Sequence, residues 1–81
     1  MNMNNNELYD AAFIESFSIK AEQLKGLAYQ SVQLWDSVGH MSLIALLEDK
    51  FDLMMETDDI IDLSSYEKGK EILSEKYGIR F

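Results

Sequence analysis

Cysteine and proline are both absent from this chain of 81 residues. Without cysteine there is no disulfide framework and no thiolate metal site, a composition compatible with a reducing compartment. Without proline, nothing in the sequence forces a kink, so helical periodicity can run undisturbed. Basic residues are scarce, seven against fifteen acidic, for a net charge of −8. Such a surface repels nucleic acid, whose phosphates need Lys and Arg to neutralise them, and makes anionic membranes poor partners. It attracts basic protein surfaces and mainly speeds their encounter. Long apolar runs are missing too. Leu43-Ile44-Ala45-Leu46-Leu47 is far shorter than the roughly 20 residues that span a bilayer, so no membrane insertion is expected. Residues 1–6 have no basic segment followed by an apolar stretch. No secretory leader is therefore expected, and a cytoplasmic location is the default. A single histidine leaves no ligand set for a metal. No phosphate-binding glycine loop and no catalytic triad is visible, so no enzymatic activity is expected.

What is present is a hydrophobic fraction of 47%, too high for a disordered chain. The length admits one small monomeric domain over 1–81, with residues 1–4 expected to fray. Asn4 and Glu7 have capping-box spacing. Tyr9, Ala12, Phe13 and Phe17 then recur at helical intervals, which predicts a helix over about 5–18 with these four on its buried face. Residues 19–36 read as a long loop with one short helical turn, pinned to the core by some of Leu24, Leu27, Tyr29, Val32, Leu34 and Trp35. A loop this long in a small domain needs a reason.

Asp36 caps a second helix that begins at Ser37 and runs to about residue 52. Leu43, Ile44, Leu47 and Phe51 form its inner face, and Val38, Met41, Ala45, Glu48 and Asp49 a more exposed one. Thr57, Asp58 and Asp59 offer cap chemistry for a short third helix holding Ile60, Ile61 and Leu63. Ser64 and Glu67 form a second capping box and start the last helix, lined inside by Tyr66, Gly69, Ile72, Leu73 and Tyr77. Lys76 and Gly78 suit its C-terminus. The expected fold is all-α: three longer helices, a short third one, and a long loop between the first two.

The stretch Trp35-Asp36-Ser37-Val38-Gly39-His40-Met41, followed by Leu43 to Asp52, resembles the acyl carrier protein family. In that family the serine of an Asp-Ser-Leu-type motif receives 4′-phosphopantetheine; here the motif reads Asp36-Ser37-Val38. The tripeptide alone carries little weight. The order of helices and the loop that leads into the motif agree with it from about Tyr9 to Tyr77. The resemblance implies a four-helix acyl-carrier-like bundle in which Ser37, helped by Asp36, accepts the arm from coenzyme A through a separate phosphopantetheinyl transferase. It also implies that the thiol of the arm carries acyl groups as thioesters between loading and transfer enzymes with basic surfaces. Carried over residue by residue, Val38, Met41 and Ala45 become apolar partner contacts, and Glu48 and Asp49 acidic ones. Leu43, Leu47, Met55, Ile60 and Leu63 become the walls of a cargo pocket. Gly39-His40 and Trp35 depart from the housekeeping fatty-acid pattern and fit a specialised biosynthetic pathway. Physically, a serine at a helix N-terminus is exposed where unsatisfied amides favour negative charge, a term of about 0.3–1 kcal/mol at a surface.

Each residue also has a plainer reading. Ser37 could be a helix cap, and the chain an unmodified acidic helical module that binds a basic partner. His40 is expected to be a solvated polar side chain, its other reading being a hydrogen bond to the phosphate of the arm. Trp35 is expected to anchor the core. Gly39 offers room for close approach of a partner or the arm. Met54 and Met55 fit either ordinary packing or a cargo pocket. Asp58, Asp59 and Asp62 lack calcium-loop spacing and read as a solvated acidic face.

Overall fold

The computed structural model describes residues 3–81. The chain enters its first helix through a closed capping box: Asn4 Oδ1 accepts from the Glu7 amide at 2.8 Å, and Glu7 Oε1 from the Asn4 amide at 3.1 Å. Helix α1 (Asn5–Phe17) ends at Ser18, whose φ of 53° turns the backbone left-handed. Tyr9, Ala12, Phe13 and Phe17 are buried, as the spacing predicts. Asn4 is the N-cap, as its spacing from Glu7 predicts. Asn5 and Asn6 are also tied down, by bonds with the Arg80 carbonyl and Lys70 Nζ. Met1 and Asn2 lie outside the described residues.

The predicted loop is a loop, with one 3₁₀ turn at Ala21–Gln23. Leu24, Leu27 and Trp35 hold it to the core, whereas Tyr29 and Leu34 are exposed. Ala28 pairs with Ser65 in an antiparallel bridge. There Tyr29 donates its amide to the Ser64 carbonyl at 2.9 Å and Tyr66 to the Leu27 carbonyl at 2.8 Å.

Helix α2 (Ser37–Phe51) follows the Asp36 cap and ends at the left-handed Asp52. Leu43, Ile44 and Leu47 are sealed, and the interface between α1 and α2 is the most extensive between helices. Phe51 is only half-buried. Helix α3 (Thr57–Asp62) is one and a half turns long, and its N-cap, Glu56, makes no side-chain capping bond. Helix α4 (Tyr66–Tyr77) starts one residue later than predicted. Ser65, not Ser64, accepts from the Lys68 amide, and Glu67 instead accepts from the Gly26 amide at 3.0 Å. Gly78, at φ 70°, ends it as expected. Gly69 is a packing requirement: a Cβ there would collide with the Tyr9 hydroxyl, which donates to the Tyr66 carbonyl at 2.6 Å. Burial pushes the Tyr9 phenol far above its ordinary value, so it stays a donor. The described residues are thus all-helical apart from loops and that bridge. Their radius of gyration of 11.5 Å is close to the value of about 12 Å expected of a compact chain this long.

The acidic trio is corrected at Asp59. Its side chain is 1% exposed and receives hydrogen bonds from Lys76 Nζ and the Tyr77 hydroxyl, both at 2.6 Å. The sequence cannot distinguish it from Asp58, because the partners come from α4. The bond from Lys76, and then that from Tyr77, hold the Asp59 carboxyl below its usual range against the opposing effect of burial. The same bond raises Lys76.

The sign of the pH dependence follows. The Asp59 contribution is complete above the ordinary aspartate value of about 3.9 and is lost as pH falls through the lower folded value. The Lys76 contribution is complete below its ordinary value of about 10.4 and is lost as pH rises through the raised one. Urea midpoints followed by circular dichroism should therefore be flat across neutrality as far as this pair is concerned. They should drop on acidification below about pH 4, and Asp59→Asn should flatten that acid limb. An unchanged limb would remove the pair from the acid response.

Candidate functional site

The loop delivers Ser37 through a chain of aromatic contacts. Trp35 is fully buried and stacks on Phe17 with ring centroids 4.9 Å apart; Phe13 meets it edge-on at 5.6 Å. It is the predicted core anchor. With Trp35 fixed, Asp36 caps α2: its Oδ1 accepts from the Gly39 amide and its carbonyl from the His40 amide, both at 2.8 Å. Ser37 is then the first residue of α2, exposed to solvent. Its Oγ lies 3.3 Å from the Tyr29 hydroxyl.

Gly39 serves the fold. A Cβ here would run into the Leu34 carbonyl oxygen and press on Phe17. The close approach expected at this glycine is therefore made by the loop of the protein itself.

His40 departs further from expectation, for it is half-buried and fully bonded. Its Nδ1 accepts from Trp35 Nε1 at 2.9 Å, and its Nε2 lies 2.7 Å from the Ile60 carbonyl of α3. An indole N–H can only donate, so Nδ1 is the lone-pair nitrogen and the proton on Nε2 is donated to Ile60. The imidazole stacks parallel to the indole, at 11° and 6.2 Å, and Tyr29 meets it edge-on at 5.8 Å.

A cavity of about 370 Å³ opens beside Ser37, between α2 and α3. Ser37, His40 and Met41 form one wall, Ile60, Ile61, Leu63 and Ser64 the other, and Tyr29 closes the loop side. Of the five expected pocket residues, Ile60 and Leu63 line it. Leu43, Leu47 and Met55 do not; they are sealed in the central core with residues of α1 and α4. Tyr29, Ser64 and Ile61 line it in addition. Consecutive isoleucines on a short helix are the available signal, because they cannot both face inward.

The expected partner face is mostly outward. Val38 is 78% and Met41 54% exposed, and Ala45 and Asp49 are exposed. Glu48 is half-engaged in its own fold: its Oε2 accepts from the Met55 amide at 2.9 Å and fastens the turn into α3. Met54 fits neither expected role, being 86% exposed beside the buried Met55. Among the described residues no cluster of three or more potential ligands could hold a metal ion, and no helix is long and apolar enough to cross a membrane. No protein-family model, no curated protein and no solved structure matches the chain.

Proposed function

We propose that this chain is a carrier protein that displays Ser37 for attachment of a 4′-phosphopantetheine arm and presents acyl intermediates to partner enzymes in a specialised pathway. The observation that carries this reading is the exposed Ser37 at the N-terminus of α2, opening onto an apolar cavity between α2 and α3. The group suits the site. The only chemistry required of Ser37 is a reachable hydroxyl, and the helix end stabilises the phosphodiester charge by about 0.3–1 kcal/mol.

In the attachment step, Ser37 Oγ forms a bond to the phosphorus of the pantetheine phosphate. The diphosphate bond of coenzyme A breaks, and adenosine 3′,5′-bisphosphate leaves with the electron pair. The hydroxyl proton passes to a base of the transferase, so the carrier needs none. Once attached, the group supplies a thiol that holds acyl cargo as a thioester. Asp36 keeps its carboxylate engaged with the Gly39 amide and holds the helix start in register. Met41 and Ile61 at the cavity and Val38 next to Ser37, all more than half exposed, offer apolar contacts. Asp49 and the −8 net charge favour partners with basic surfaces. Nothing in this scheme asks the chain itself to catalyse a reaction.

Incubation with coenzyme A and a phosphopantetheinyl transferase is expected to add the mass of one arm, and Ser37→Ala to abolish the addition. A second reading, an unmodified interaction module using the same exposed face, is favoured by the Tyr29 hydroxyl standing over Ser37 Oγ. An unchanged wild-type mass with several transferases would decide for that module.

A further inference from the structure

The carrier reading leaves the cargo open, and the separation of α2 and α3 decides it. The open space ends abruptly. On α2 its lining stops at Met41, and the inward residues that follow, Leu43, Ile44 and Leu47, are at most 2% exposed. Within that lining His40 joins the two walls: its Nε2–H is held by the Ile60 carbonyl, while its Nδ1 is held by buried Trp35. Both ring nitrogens are committed, and the stacked indole fixes the plane of the ring. The six-residue α3 has no side-chain cap; buried Asp59 fastens it to Lys76 and Tyr77 of α4, and the bond from His40 fastens it to α2 beside the cavity.

Size sets the cargo class. An apolar cavity of about 150 Å³ takes benzene, with its six heavy atoms. On that scale the 370 Å³ here corresponds to roughly fifteen heavy atoms. The thioester and the end of the arm occupy part of this, leaving an acyl chain of roughly eight carbons.

Resting on the attachment of the arm at Ser37, we propose that the cavity takes an apolar acyl chain of short to medium length, and that His40 is the specificity-determining residue that sets its depth. The bond to Ile60 keeps α3 against α2, so a longer chain has nowhere to go but solvent. Weakening that bond lets α3 move out and lengthens the accepted chain.

The test loads the full chain with the bare arm and with acetyl, hexanoyl, octanoyl and dodecanoyl arms, using a transferase and the matching coenzyme A thioesters. Methyl NMR shifts of Ile60 and Leu63 are read against the bare-arm protein. In the wild type they are expected to grow up to octanoyl and then stop. His40→Phe keeps a ring against Trp35 but lacks both nitrogens; there the growth should continue to dodecanoyl. Absence of acyl-dependent shifts at these methyls, or the same cut-off in His40→Phe, overturns the proposal. Should His40→Phe fail to fold, Ile60→Phe fills the cavity from the other wall and should shorten the cut-off to hexanoyl or below; an unaltered cut-off overturns it equally. The loaded mass is checked first. A chain that accepts no arm sinks the carrier reading and this inference together, whereas a chain that accepts the arm without cargo-dependent shifts sinks only the inference.

Discussion

Replacing Trp35 with alanine is expected to cost about 3–5 kcal/mol, the usual loss for truncating a buried tryptophan. A domain of this size has roughly 4–12 kcal/mol of stability in total, so the variant would be near its unfolding threshold at physiological temperature. The reason is the number of elements that meet on one side chain. Phe17 and Phe13 of α1 pack on the indole, Tyr29 of the loop meets its edge, and His40 of α2 takes its N–H. Alanine leaves a cavity among them and removes the donor from His40 Nδ1, and leaving a buried acceptor unmatched costs about 1–3 kcal/mol. Thermal melts followed by circular dichroism should fall by more than about 12 °C. Trp35→Phe, which keeps a stacking ring, should fall by less. A melting temperature within a few degrees of wild type for the alanine variant would mean that the loop is not anchored through this residue.

Gly39→Ala tests the opposite intuition. Helix propensity alone predicts a gain approaching 1 kcal/mol for this change. The added Cβ, however, meets the Leu34 carbonyl oxygen at a distance no real contact tolerates, and that oxygen is backbone. Relief requires moving the segment that leads into Trp35 and Asp36. The expected outcome is a net loss of about 1–3 kcal/mol, as for other overpacked sites, read as a lower urea midpoint with an unchanged slope. A gain in stability would show that the loop yields easily. The same displacement shifts Ser37 relative to Tyr29, so under the attachment proposed at Ser37 arm transfer should slow more than global stability alone explains.

These two positions show what could and could not be read along the chain. The caps at Asn4 and Asp36, the buried face of α1 and the stop at Gly78 rest on chemistry within a few residues, and each stands where spacing put it. The errors arise where a distant partner chooses between near-equivalent neighbours. Ser64 and Ser65 have the same capping chemistry, but the Ser64 carbonyl is taken by the Tyr29 amide, and Ser65 caps α4 instead. Asp59 is drawn inward by Lys76 and Tyr77, while Asp58 stays outside. Met55 goes in and Met54 out. His40 looked like an ordinary surface polar residue because neither Trp35 Nε1 nor the Ile60 carbonyl can be located from its own surroundings. The placing of Ser37 at the exposed start of α2 rests on the adjacent Asp36 cap, whereas the attachment proposed there comes from the family resemblance. The cavity beside it was only half legible. Helical spacing identifies inward residues, but not which of them border open space and which close the core.

The bridge between Ala28 and Ser65 joins segments on either side of α2 and α3, so closing it encloses both helices in a single loop of the chain. The loop-closure cost of such a non-local contact grows only slowly with loop length, but it is met before the contact returns any stabilisation. Tyr29, next to the bridge, gives its amide to the Ser64 carbonyl and places its hydroxyl beside Ser37 Oγ. A disturbance at the start of α4 therefore has a short route, one residue long on the loop side, to the exposed serine at the head of α2.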